Sequence, residues 1–194
     1  MIRATAELVL SSLQKKLQPL VYKQSFAGSY RRGCETLDDL DMVCVPIHEM
    51  VTHKQLFPTK VNKVREWIDQ SHKRGILNIE KAGPRYIKFY YMGKPVDLFM
   101  TKPYDYGRML AIRTGPAHFS KAMANRWHEM GWKGVNGKLY LMNELWETRL
   151  LKDKSTYEFT TPPPFQTEED FFKWLGWNYI EPEKRESLYQ EPVK

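Results

Sequence analysis

The segment Leu40-Asp41-Met42-Val43-Cys44-Val45 is apolar at every position but one, and Pro46 ends it. A continuous apolar run of this length reads as a mostly buried strand, so the chain must build a sheet around it. The exception, Asp41, has Asp39 two positions before it. On extended backbone both carboxylates point to one face. Two carboxylates on one face repel each other unless a cation sits between them, which makes the pair a candidate magnesium site.

Periodicity supplies the rest of a coarse architecture. Ala6, Val9, Leu10, Leu13 and Leu17 recur at helical spacing, so residues 3–18 read as an amphipathic helix ended by Pro19. Tyr22 to Ala27 reads as a strand broken by Gly28-Ser29, and residues 60–73 as a second helix closed by Gly75. Ile76–Lys81, Arg85–Tyr91 and Lys94–Met100 are short strands joined by Ala82-Gly83-Pro84 and Met92-Gly93, the pattern of an antiparallel meander. Tyr104–Arg113 and Ala117–Met130 read as helices on either side of Thr114-Gly115-Pro116. Val135-Asn136-Gly137-Lys138-Leu139-Tyr140 has the form of a tight hairpin. Thr167 is placed to cap a last helix with an acidic first turn, Glu168-Glu169-Asp170. The pattern changes near residues 101–104, and we place a boundary there between units 1–103 and 104–194. The fold class expected is α+β, a mixed or antiparallel sheet with helices followed by a small α/β C-terminal subdomain.

Charge bears on partners rather than on fold. Over 194 residues, 30 basic side chains exceed 23 acidic ones, a net charge of +7. The excess is concentrated: residues 60–101 and 102–140 carry +5 each, while 28–59 carry −2 and 141–194 carry −4. An acidic segment beside a long basic stretch suits a polyanionic partner, although charge alone equally fits a solvated face. With three aspartates nearby, Lys81, Arg85 and Lys88 read as candidate contacts to a DNA backbone, with the tail residues Lys184 and Lys194 off that surface. Two cysteines, Cys34 and Cys44, exclude a disulfide framework and a multi-cysteine zinc site. The N-terminal residues form no apolar signal region, and no apolar run approaches ~18 residues, so the expectation is a soluble intracellular protein without a membrane partner.

Chemistry concentrates in Gly28-Ser29-Tyr30-Arg31-Arg32-Gly33 and the aspartates that follow. Gly28 lets backbone approach a phosphate closely, Ser29 offers a hydroxyl, and Arg32 offers a planar fork of donors. Asp97, inside the apolar Val96-Asp97-Leu98-Phe99, supplies a third carboxylate. A metal site beside a phosphate cradle is what nucleotidyl transfer requires. Other residues read more plainly. His48 and His53 read as surface loop residues, and neither cysteine has a neighbouring pattern that would make it a nucleophile. Trp132, between Gly131 and Lys133-Gly134, is the best candidate for an exposed ring on which a base could stack.

These motifs resemble the palm of the family X DNA polymerases, the DNA polymerase beta group. Thr114-Gly115-Pro116-Ala117-His118-Phe119 is similar to the Thr-Gly element that opens the family's C-terminal, nucleotide-contacting subdomain. Phe171 to Pro182 resembles its closing helix and Tyr-x-x-Pro tail. The resemblance implies a polymerase or nucleotidyltransferase in which Asp39, Asp41 and Asp97 hold two Mg²⁺ ions, with Mn²⁺ able to substitute. It implies nucleotide contacts at Gly28, Ser29, Arg32, Ile112, Arg113, Gly115 and His118, and a cis bond at Gly115-Pro116. It also implies a dNTP and gapped or primer-template DNA as partners, a DNA ligase acting after it in repair, and a monomeric chain.

The departures are specific. The chain begins at the palm-like segment, so the family's lyase domain and helix-hairpin-helix clamp have no counterpart, a reduced form similar to that of a viral member. Asp38 stands where a small residue is usual, and Ile112 and Arg113 stand where aromatics that gate the sugar are common. The arginine that probes the template would fall near Ala124, leaving Lys121 and Arg126 as the nearest basic substitutes. Two other functions stay open on the sequence. One is a template-independent terminal or RNA nucleotidyltransferase; the other is an inactive DNA-end-binding module.

Overall fold

The computed structural model describes residues 1–52, 58–150 and 157–187, and the expectations for His53 and Lys194 lie outside them. Helix α1 (Arg3–Leu17) is followed by a 3₁₀ turn holding Pro19, strand β1 (Val21–Phe26), the single helical turn α2 (Gly28–Arg31) and strand β2 (Leu40–Pro46). Next come β3 (His48–Val51), β4 (Thr59–Asn62), α3 (Lys63–Lys73), β5 (Leu77–Ala82), β6 (Tyr86–Tyr91) and β7 (Lys94–Met100). The remainder is α4 (Tyr106–Thr114), α5 (Ala117–Glu129), β8 (Trp132–Val135), β9 (Lys138–Leu141), α6 (Met142–Glu147) and α7 (Glu168–Leu175). The class is α+β, as expected.

The main sheet has five strands in the order β1-β2-β7-β6-β5. The meander β5-β6-β7 is antiparallel, and β1 pairs antiparallel with β2, but β2 and β7 run parallel. This explains the apolar run in β2, because a strand inside the sheet is covered on both faces. Leu40, Met42 and Cys44 join Val96, Leu98, Ile87 and Phe89 under α1 and α3, which bury Ala6, Leu10, Leu13, Val64 and Ile68 there. The alternate positions Val43, Val45 and Phe99 pack with Ala27 and with Tyr106 and Leu110 of α4. Asp41 and Asp97 lie on this second face, next to the part that α4 covers.

A separate core gathers Phe119 and Met123 of α5, Trp132 and Leu139 of the β8–β9 hairpin, Phe165, and Phe171, Phe172 and Leu175 of α7. Helix α7 starts with a capping box between Thr167 and Asp170, the cap expected from the sequence, and ends at Gly176 in the left-handed conformation. Among the described residues no helix is long and apolar enough to cross a membrane.

Several expectations need correction. Residues 60–62 belong to β4, not to a helix. Lys63 starts α3 because Asn62 caps it, its side chain accepting from the Arg65 amide at 3.1 Å. His48 opens β3 rather than sitting in a loop, and its Nδ1 lies 3.1 Å from the Pro46 carbonyl. Gly28-Ser29 does not simply break β1 but begins α2. Trp132 is 9% exposed and packs edge-on against Trp174 at 5.7 Å, so it is core and not a stacking platform. The neighbouring Lys133 points the other way because side chains alternate along a strand.

Candidate active site

The site is built from strand register. Asp41 on β2 is the Cα partner of Asp97 on β7, Asp97 is the partner of Lys88 on β6, and Lys88 is the partner of Lys81 on β5. Partners in a ladder share a face, so two carboxylates and two ammonium groups form one row across four strands. Lysines directly opposite each other repel. The β5 bulge between Ile79 and Lys81 brings Glu80 to Lys88, with Nζ and Oε1 3.2 Å apart. That carboxylate pairs with Lys88 and raises its basicity.

Asp41 is the most perturbed carboxyl of the row. Burial, then the nearby carboxylates Asp39 and Asp97, push its pKa up to about 7, while Arg113 and Arg32 oppose the shift. Asp97 is also raised by burial, against a hydrogen bond donated to its Oδ1 by the Tyr86 hydroxyl at 3.0 Å. The mutual repulsion of three carboxylates is the condition a divalent cation relieves, so in donor type the set fits magnesium or manganese. As the side chains stand, no three Asp, Glu, His or Cys among the described residues converge tightly enough to enclose an ion. Asp41 and Asp97 share a face and Asp39 sits in the bend just before β2, so the extended backbone expected from Asp39 to Asp41 begins only at Leu40, and the three do not form a cage.

Gly28 closes one side of this face. Its φ is +58°, and a Cβ there would stand 2.0 Å from Oδ2 of Asp41. The close approach that requires a glycine is thus to the Asp41 carboxylate, whereas the sequence suggested a phosphate. The backbone reinforces it, with the Ala27 amide donating to the Asp41 carbonyl at 2.9 Å. Ser29 is half-buried in the first turn of α2.

The two arginines of the motif are both engaged. Arg32 donates through Nη1 to the Thr114 carbonyl at 2.5 Å and through Nε to Glu186 Oε1 at 2.7 Å. Arg31 donates to Thr114 Oγ1 at 2.7 Å and to Glu168 Oε2. Glu168 is buried, and its other oxygen takes a hydrogen bond from the wholly buried Arg185 at 3.1 Å. Arg185 also donates twice to the Ile180 carbonyl, at 3.0 and 2.9 Å, and its guanidinium lies over the rings of Phe119, Phe172 and Tyr179. Burial works against the charge of Arg31, but the Glu168 carboxylate outweighs it and the pKa is raised. This Arg31–Glu168–Arg185 network ties α2 to α7 and to the chain beyond it. Sequence reasoning missed it, taking Glu168 only as part of an acidic first turn.

The remaining candidates divide. Arg113, at the end of α4, stacks on the Phe99 ring at 4.0 Å and lies in the field of Asp41, so it belongs to the site. Gly115 packs against Arg32, and the Gly115-Pro116 bond is cis. His118 is half-buried in the first turn of α5. Ile112 packs against the second core, so its side chain serves that core rather than the carboxylate face. Arg126 is drawn to the end of α7, donating through Nε to the Leu175 carbonyl at 2.9 Å. A cation there satisfies an orphan carbonyl and complements the helix dipole, a structural task that takes Arg126 away from the carboxylate row. Lys121 is exposed on α5. Arg85 lines a cleft of about 570 Å³ with Pro46, Met100 and Tyr140, at the far ends of β2 and β7, and no aspartate of the row lines it.

Residues 109–186 match the family described as DNA polymerase beta thumb, a span from within α4 through α5, the hairpin and α7. Two of the three stretches that carry the resemblance lie inside it; Asp39, Asp41 and Asp97 lie outside. No curated protein matches the chain. The match supports a family X-like polymerase fragment and fits the small C-terminal subdomain of the fold.

Proposed function

We propose that the chain is a metal-dependent DNA nucleotidyltransferase of the family X type, adding deoxynucleotides to a primer 3′ end with release of pyrophosphate, at short gaps in DNA. The observation that supports it most is the register that sets Asp41 beside Asp97, with Asp39 near, on the sheet face bordered by α2 and the end of α4. The thumb match in the same chain supports DNA as the partner. Asp39, Asp41 and Asp97 would hold two Mg²⁺ ions, which would neutralise triphosphate charge and make the primer hydroxyl a better nucleophile.

The side chains of the site take distinct parts in this reading. Ser29 and Arg32 bind the outgoing pyrophosphate, for which Arg32 releases the exposed Glu186 carboxylate it holds in the structure. Arg113 adds positive charge beside Asp41, where negative charge accumulates in transfer. Lys81 and Lys88 extend the row sideways and carry backbone phosphates. A ligase that seals the filled gap is the partner such an activity calls for.

The test is incorporation on gapped DNA, single-stranded DNA and RNA, each with dNTPs and with NTPs. Template-directed dNTP addition on gapped DNA, lost in Asp41→Ala and Asp97→Ala while DNA binding persists, is expected. Template-free addition to single strands, or a preference for RNA and NTPs, would replace this reading with a terminal or RNA nucleotidyltransferase. Binding to DNA ends without incorporation under any condition would leave a binding module.

A further inference from the structure

Asp97 is the one carboxylate of the row with a dedicated donor, and that donor lies on the neighbouring strand. The β6–β7 ladder sets Tyr86 opposite Phe99, one step along the same face from Lys88 opposite Asp97. The Tyr86 ring stacks on Phe99 with centroids 5.0 Å apart and planes at 20°, and its hydroxyl reaches back to Asp97 Oδ1 at 3.0 Å. The Phe99 ring also carries the Arg113 guanidinium at 4.0 Å. Phe99 itself is buried with Tyr106 and Leu110 of α4. The hydroxyl is therefore fixed by a stack anchored in α4, and a tyrosine held this way has little rotational freedom.

We infer that Tyr86 is a positioning residue for the proposed transfer: its hydroxyl holds Oδ1 of Asp97 so that Oδ2 is the oxygen offered to a cation shared with Asp41. The Phe99–Arg113 stack makes that orientation depend on the seating of α4. A carboxylate on an extended strand otherwise turns freely about its terminal torsion, and a hydrogen bond to one oxygen selects which oxygen faces the neighbour. Partners of this kind behind a ligand govern metal affinity and turnover without touching the substrate. The inference rests on the nucleotidyl-transfer reading and on Asp97 being a ligand.

The experiment is a double-mutant cycle on the full chain with Tyr86→Phe, Asp97→Asn and the pair. Tyr86→Phe keeps the ring and its stack and removes only the donor. Mn²⁺ binding is read by electron paramagnetic resonance without nucleotide or DNA, and incorporation is read separately under saturating and limiting dNTP. Tyr86→Phe should weaken Mn²⁺ binding and lower kcat by about tenfold each, with KM for dNTP and the melting temperature unchanged. In the Asp97→Asn background it should add nothing to the loss of Mn²⁺ affinity. If Asp97→Asn weakens Mn²⁺ binding and Tyr86→Phe does not, or if Tyr86→Phe has its full effect in both backgrounds, the positioning role is overturned and the transfer reading stands. If Asp97→Asn changes neither Mn²⁺ binding nor incorporation, Asp97 is no ligand and both readings fall.

Discussion

Replacing Glu168 with Gln should cost more stability than replacing Arg185 with Met, although the two side chains form one ion pair. Glu168→Gln removes the only carboxylate between two guanidiniums, and Arg185 is wholly buried, with no water to take over its solvation. Breaking a buried pair so that a charge is stranded costs about 3–5 kcal/mol. The substitution also takes a negative charge from the first turn of α7, where the helix dipole favours one. Arg185→Met strands nothing charged, because Glu168 keeps Arg31 and the Tyr179 hydroxyl, 3.4 Å away. What it loses is the hydrogen bond to Glu168 Oε1, about 1–3 kcal/mol for an acceptor left buried, together with the pair to the half-buried Ile180 carbonyl, which turns to solvent; a flexible apolar chain refills most of the volume. For a chain of this size each kcal/mol moves the melting temperature by about 2–4 °C, so Glu168→Gln should lower it by roughly 6–20 °C and Arg185→Met by roughly 2–12 °C. Urea unfolding followed by tryptophan fluorescence at pH 7 measures both. High salt should leave the difference intact, since buried pairs are poorly screened. Equal costs, or a larger cost for Arg185→Met, would show that Glu168 is not the hub of the network.

Three further outcomes can be checked. Asp41 titrates near 7 in the folded chain and near 3.8 when unfolded, so the native state holds a proton that the unfolded state releases. Stability of the chelator-treated protein should fall as pH rises from about 4 to 7 and level off above, and Asp41→Asn should remove most of that slope in urea titrations at pH 5 and 8. Gly28→Ala places a methyl group on the Asp41 carboxylate at a left-handed backbone position; the backbone alone costs about 1–2 kcal/mol, and incorporation should fall by more than that loss explains. If four to six phosphates are neutralised, log affinity for duplex DNA should fall against log salt with a slope of about −4 to −5, and reversing Lys81 and Lys88 should flatten it by about two, while Lys184 reversal leaves it alone. A flat salt dependence would remove the row of lysines from the DNA surface.

Much of the fold was legible because it is local. The α1 stripe, the β2 run, the meander with its glycine turns and the Thr167 cap all declare themselves within a few residues. The polar segments His48–Val51 and Thr59–Asn62 do not, since neither has a marked apolar alternation and they become strands by pairing with each other. The β5 bulge is invisible for a related reason: Glu80 and Lys81 read as alternating residues until register shows them both opposite Lys88. Charged residues misled most. Glu168 and Arg185 look like ordinary charged residues in sequence, because the partner that makes burial tolerable arrives only with the tertiary fold, and Arg126, a candidate DNA contact by its charge, is drawn to the end of α7. Asp41 and Asp97 were legible as residues, since carboxylates in apolar strands are conspicuous, and Asp39 only by its spacing from Asp41. Tyr86 was not, because nothing in its neighbourhood marks one tyrosine among several as the partner of an aspartate.

The parallel pairing of β2 with β7 also governs when the site comes into being. Every other pairing in the sheet joins strands that are neighbours along the chain or separated by a short turn, but β2 and β7 close only after β3, β4, α3 and the rest of the meander have been laid down between them. Such a long closure is slow, because its entropy must be lost before contacts compensate. The hairpins and α1 can form early, and the carboxylates meet late. A chain in which β2 and β7 have not yet paired therefore holds Asp41 and Asp97 apart, and the proposed site is complete only once that closure is made.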